Sequence, residues 1–166
     1  FYYRPRIDKE LLETYSDGLI ALSACLQGEL SRLIKNGNYD KALDTAKWYK
    51  ELFKDDYYIE VQDHGLTEQK RVNQYLIKIA NELNIKIVAT NDAHYIEKKD
   101  ANMQKYLMLV GQNKTVDSTD ALLFETEEFY VKSEDEMLQL FPSEYINNTT
   151  EVADKCNFDF DFNNLK

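Results

Sequence analysis

Asp92 and His94 stand two residues apart just after a short apolar run, Ile87-Val88-Ala89-Thr90, and this spacing is the feature of the sequence with the most definite chemistry. On extended backbone, residues two apart project to the same side, so the pair offers a hard oxygen and a borderline nitrogen donor to a cation. Cys25 follows a second apolar run, Leu19-Ile20-Ala21-Leu22, and a thiolate there adds a soft ligand suited to zinc. A third run, Tyr57-Tyr58-Ile59-Glu60-Val61, leads into Asp63 and His64. Both histidines and one of the two cysteines thus follow predicted strand ends, where parallel α/β folds collect their functional groups. A metal held there with one open position would acidify water and polarise a phosphoryl oxygen, the chemistry of a phosphoesterase.

Each residue also has a plainer reading. Asp92 could cap a helix and His94 be an ordinary hydrogen-bonded imidazole, while Cys25 beside Ala24 and Leu26 could be a small core residue. Gln62 to Gly65 reads as a turn into the next helix, with Gly65 supplying permissive backbone. Glu60 is either a buried carboxylate or the solvent face of an edge strand. Other chemistries lack their motifs: the chain has no Gly-rich phosphate loop, no GxSxG and no HExxH, and Ser23 has no base near it in sequence. The 12 tyrosines, scattered through amphipathic stretches, read as core edges rather than as base-stacking platforms.

The elements that must position these residues alternate. Asp8 to Tyr15 is a predicted helix, followed by the strand at Leu19 to Leu22, a helix from Gly28 to Lys35, and a longer helix capped by Asn38 with Ala42, Ala46, Tyr49 and Phe53 on its apolar face. Trp48 is expected to pack in the same region. After the Tyr57 to Val61 strand, a helix capped by Thr67 carries Val72, Leu76, Ile79, Ala80 and Leu83 as the stripe that lies on a sheet. The strand at Ile87 to Thr90 is apolar throughout its centre, as strands covered on both faces are. This order favours a parallel sheet or an α/β barrel. Further on, the pattern predicts a helix at Met103 to Val110, a loop at Asn113 to Asp120, a strand at Phe129 to Lys132, and helices at Glu134 to Leu140 and Ser143 to Lys155. The tail Phe158 to Phe162 alternates as a strand would.

Composition sets bounds. With 166 residues, 43% of them apolar, the chain amounts to one domain or part of one. Thirty acidic against 20 basic residues give a charge of -10, which repels a phosphate backbone unless a metal intervenes. Two cysteines without a CxxC read as reduced, intracellular usage, and no apolar stretch approaches the roughly 20 residues that cross a bilayer. A start at Phe1 reads as a chain cut from something larger.

The runs Gly18 to Glu29 (GLIALSACLQGE), Tyr58 to Gly65 (YIEVQDHG), Glu68 to Asn73 (EQKRVN), Val88 to Tyr95 (VATNDAHY), Lys132 to Met137 (KSEDEM) and Glu151 to Cys156 (EVADKC) together resemble the alpha-subunit family of bacterial DNA polymerase III, the C-family replicative polymerases. The resemblance covers essentially the whole chain and points to the later part of the family's PHP (polymerase and histidinol phosphatase) domain. It implies an α/β fold, part of a PHP-type distorted (β/α)7 barrel with a helical C-terminal extension. Residues 1–112 would be the C-terminal part of that barrel, and 113–166 its end and the helical lead-in to the polymerase core. Carried over by position, the family's late cysteine ligand falls on Cys25 and its final Asp-x-His pair on Asp92 and His94; Asp63 and His64 match a motif and are near-site candidates without a ligand role. The family's early His-x-His and intervening ligands have no counterpart in this sequence, nor do the polymerase aspartates, so no catalytic residue and only part of a metal cluster are expected here. The resemblance further implies DNA-directed DNA synthesis (nucleotidyl transfer) in the parent, with either a metal-dependent 3′-5′ exonuclease or phosphoesterase at the PHP site or a non-catalytic scaffold in its place. Zinc or manganese is the implied PHP metal and magnesium the polymerisation metal. Implied partners are DNA, deoxynucleotides, the sliding clamp, the clamp loader and a separate proofreading exonuclease, in the cytoplasm and without a membrane.

Overall fold

The computed structural model describes residues 6–159 and 162. Within them the order is α1 (Lys9–Tyr15), β1 (Ala21–Leu22), α2 (Glu29–Lys35), α3 (Tyr39–Phe53), β2 (Tyr57–Val61), α4 (Thr67–Leu83), β3 (Ile87–Ala89), α5 (Ala101–Gly111), α6 (Glu134–Leu140) and α7 (Ser143–Lys155), with short 3-10 turns at Lys54–Asp56 and Lys98–Asp100. The three strands form one parallel sheet in the order β1-β2-β3, with Ala21 opposite Tyr57 and Ile59 opposite Ile87. The α/β alternation and parallel pairing are therefore present; the described residues make an open three-stranded sheet, not a closed barrel.

Side-chain alternation along β2 and β3 divides the core. Tyr57, Ile59, Val61, Ile87 and Ala89 join Leu30 and Ile34 of α2, Ala42, Ala46 and Phe53 of α3, and Val72, Leu76, Ile79 and Ala80 of α4 in one buried cluster. Period two on the strands thus meets the helical stripe of α4, and Leu83 only partly joins it. Tyr58, on the opposite face, is fully buried, and its hydroxyl donates to Glu151 on α7 at 2.8 Å. Asn148 of α7 also donates to the Ile87 carbonyl at 2.8 Å, so the helix occupies the outer edge of β3, where an unpaired strand would invite another chain.

Several local expectations are corrected. Leu66 rather than Thr67 is the N-cap of α4, and it has no capping side chain; Asn38 holds the cap position of α3 without a side-chain bond. The strand expected at Phe129 to Lys132 is reduced to one bridge between Tyr95 and Tyr130. The reason is that this segment runs beside the loop after β3, not beside β3 itself: the Phe129 carbonyl accepts from the His94 and Tyr95 N–H groups. Trp48 packs edge-on against Tyr49 and donates to Glu13 of α1 at 3.1 Å, as its expected position allows. The alternating tail falls partly outside the described residues, at Phe160 and Asp161. Among the described residues no helix is long and apolar enough to cross a membrane.

The base of the sheet carries a titratable clamp. Lys86, Tyr58 and Lys155 all converge on Glu151, and Lys155 also reaches Asp56 at 3.0 Å. The Lys86 ammonium first, then the Tyr58 hydroxyl, pull the Glu151 carboxyl down from 4.5 to about 2. A carboxylate whose folded pKa is depressed stabilises the fold fully above its unfolded value and loses that contribution as pH falls through the folded one. We therefore expect Glu151→Gln to melt below the parent at pH 7, with the gap closing between pH 4.5 and about 2; thermal unfolding across that range checks this, and a gap independent of pH would refute it.

Candidate metal centre at the strand ends

The carboxyl ends of the three strands lie side by side because the strands are parallel and in register, and a polar net ties them together. The Glu60 N–H donates to Ser23 Oγ at 2.8 Å, linking β2 to the end of β1. Thr90 Oγ1 donates to Glu60 Oε1, and Gln62 Nε2 donates to the same oxygen at 2.9 Å, linking β2 to the end of β3. Glu60 is thus a half-buried, hydrogen-bonded carboxylate on the central strand, which decides between its two readings.

Past this net, Asp92 Oδ1 and His94 Nε2 approach to 3.4 Å, each side chain 39% exposed. That separation is within direct ion-pair reach and is also compatible with two donors on a common ion. Ligand distances near 2.1 Å at a tetrahedral angle place oxygen and nitrogen about 3.4 Å apart. The partial exposure leaves room for further ligands or water. Asp92 does not cap the following helical turn, since Glu97 and Asp100 form that capping box themselves. His94 is held from behind by its N–H bond to the Phe129 carbonyl at 2.7 Å and by the ring of Phe124, 4.7 Å away between centroids.

The other candidates are placed differently. Cys25 lies beyond the end of β1 and lines a small crevice with Glu60, Gln62 and Gln69. Among the described residues no three His, Cys, Asp or Glu side chains are grouped to hold a metal, so the structure joins Asp92 with His94 and does not gather Cys25 to them. Asp63 accepts from the Gly65 N–H at 2.8 Å in a tight turn for which Gly65 adopts φ +78°, in keeping with the turn reading. His64 is 1% exposed and its ring stacks on Phe129 at 4.2 Å. Gln69 Oε1 accepts from the His64 N–H at 2.7 Å, so the Gln69 amide donates to His64 Nδ1, 3.1 Å away. The ring proton is then on Nε2, a buried atom with no partner among the described residues. Burial first, and the charge of Lys132 second, push the His64 pKa below its usual value, against the pull of Asp92.

The aromatic floor was not foreseen from the sequence. Phe124 stacks on Phe129 at 4.3 Å, and Phe129 serves both His64 and His94. Its only signal was the apolar stretch at Phe129, more than 30 positions from His94, and nothing local assigned it to this site.

Comparison with known proteins bears on what this rim belongs to. The PHP domain family matches residues 1–64. Over 98% of its length the chain is 43% identical to DNA polymerase III subunit alpha of Campylobacter jejuni, and over 94% it is 46% identical to that of Treponema pallidum. The Helicobacter pylori subunit is 41% identical across the full 100%. The chain matches a segment of the DNA polymerase III alpha subunit. It spans 14–15% of those relatives' own length. Cys25, Asp63 and His64 lie inside the PHP match, and Asp92 and His94 lie beyond it, within the longer alignments to the alpha subunits.

Proposed function

We propose that this chain forms the later part of a PHP barrel, residues 1–112, with 113–166 leading toward the polymerase core of a DNA polymerase III alpha subunit, and that Asp92 and His94 bind a divalent metal at its rim. Cys25 joins them as a ligand once the remaining barrel is present. The observation that carries this reading is the 3.4 Å approach of Asp92 Oδ1 to His94 Nε2 beyond β3, both donors open to solvent. The donor set suits zinc or manganese. A bound ion of this kind supplies Lewis acidity and a water acidified toward neutrality. The protein's own part is to orient the imidazole: the Phe129 carbonyl holds the His94 backbone and Phe124 blocks one side of its ring. The activity is 3′-5′ phosphoester hydrolysis in a parent that also synthesises DNA with magnesium and deoxynucleotides. Its partners are DNA and replisome subunits, including the sliding clamp, the clamp loader and a proofreading exonuclease.

The test is an exonuclease assay on the full-length parent and its Asp92→Asn and His94→Ala variants. A drop of about a hundredfold or more in each is expected if both ligands are needed, and equal rates in all three would refute the reading. A scaffold role is the second reading. It is favoured by the exposed apolar stripe of Met103, Tyr106, Leu107 and Val110 along one face of α5. If the scaffold reading holds, chelation lowers the melting temperature of the parent without changing any nuclease rate.

A further inference from the structure

A cleft of about 340 Å³ opens between α5 and the segment before Phe129. It is lined by Tyr95, Ala101, Asn102, Lys105, Phe124 and Glu125, among others. Its position is what gives it meaning. Tyr95 follows His94 in the chain, and Phe124 separates the cleft from the His94 imidazole by a single ring at 4.7 Å. The size falls within the range of small-ligand sites. Its chemistry is selective: two aromatic rings, an amide at Asn102, one cation at Lys105, and the carboxylates of Glu125 and Glu127. Two carboxylates in the wall oppose a phosphate inside the cleft. They accept hydrogen bonds from an amine-bearing edge, as carboxylates accept from the exocyclic amine of cytosine. Aromatic faces, for their part, stack on any base.

We propose that this cleft is the subsite for the terminal nucleoside of a nucleic-acid 3′ end, the base entering against Phe124 and its phosphate remaining outside on the Asp92–His94 side. This rests on the phosphoesterase reading for its biological sense but not for its binding chemistry. Bases with an exocyclic amine fit better than thymine, because thymine offers the two glutamates no amine. Stacking on Phe124 supplies the part of the affinity common to all bases.

The test uses neutral nucleosides, so that neither the metal nor the chain's charge of -10 decides the outcome. Deoxyadenosine, deoxycytidine and thymidine are titrated into the 166-residue chain and followed by NMR at Phe124, Asn102 and Lys105. Deoxyadenosine and deoxycytidine are expected to bind at least threefold more tightly than thymidine. Phe124→Ala weakens all three by about tenfold, the loss of one base–aromatic stack. Because Phe124 also supports Phe129, Ala101→Trp serves as the second variant, filling the cleft from α5 and abolishing the shifts in a folded chain. Shifts that are absent, or that persist unchanged in Ala101→Trp, overturn the subsite. Exonuclease assays on the full-length parent separate the two readings. Activity lost in Asp92→Asn but untouched by Ala101→Trp overturns the subsite alone. Nucleoside binding at the cleft with no effect of Asp92→Asn on exonuclease activity supports the subsite and overturns the phosphoesterase reading.

Discussion

Replacing Ile59 by alanine is expected to destabilise the chain by about 2–5 kcal/mol, a large part of the 5–15 kcal/mol that holds a typical domain together. Ile59 is fully buried on the central strand, opposite Ile87 in register, with its side chain in the cluster that α2, α3 and α4 cover. Removing its outer atoms forfeits their burial and leaves a cavity, because close-packed neighbours relax only partly. Since β2 pairs on both sides, the loss loosens the sheet at the strand that joins the other two and so reaches the rim. Urea denaturation checks this, with a midpoint lowered by about 1 M or more at ordinary urea sensitivity. Ile96→Ala, at a side chain 74% exposed, is the control and is expected to stay within about 0.5 kcal/mol. Equal midpoints for the two variants would refute this account of the core.

The second large effect concerns His64. His64→Ala removes the stack on Phe129, empties a fully enclosed site and leaves the Gln69 amide without its acceptor, a loss of about 2–4 kcal/mol. His64→Phe keeps the stack on Phe129 and eliminates the unpartnered Nε2–H. It too leaves the Gln69 amide without its acceptor and adds some bulk, but it opens no cavity and is expected to cost less than His64→Ala. The two variants also differ from the parent in their pH dependence. Burial and Lys132 hold the folded His64 pKa below its ordinary 6.5, so the unfolded chain takes up the proton first. Stability contributed by the neutral ring is complete above pH 6.5 and is lost as pH falls through the depressed folded value. Chemical denaturation between pH 7.5 and 5 is expected to show the parent weakening more steeply than His64→Phe. Parallel slopes would rule out a buried neutral imidazole.

Element identity was largely legible because it rests on short-range periodicity. The stripe at Val72, Leu76, Ile79 and Ala80 and the run Tyr57 to Val61 each announce a buried face within a few residues, and both elements form where that pattern places them. The caps were less legible. Thr67 and Asn38 are good capping residues by type, yet neither side chain caps, because the backbone entering each helix is set by the preceding turn. Glu60 could be read two ways until strand order was known, since only the placement of β2 between β1 and β3 makes its carboxylate a bridge to Thr90.

The same division runs through the site. Asp92 and His94 were nominated by a two-residue spacing that extended backbone turns into one direction, and this is local stereochemistry that sequence can carry. What lies behind and beside them could not be nominated: Phe124 and Phe129 reach His94, and Phe129 reaches His64, only because residues 121–131 return alongside the loop after β3. Cys25, Asp63 and His64 shared the same sequence signal at strand ends, yet the fold gives them different surroundings: a crevice, a glycine turn and a closed aromatic pocket. By itself the sequence determined which residue types stand at the strand ends and which faces of the helices are apolar, because both follow from neighbours along the chain. Tertiary structure alone decided which of those residues meet and which are sealed from water, because contacts between distant segments depend on packing that no local pattern encodes.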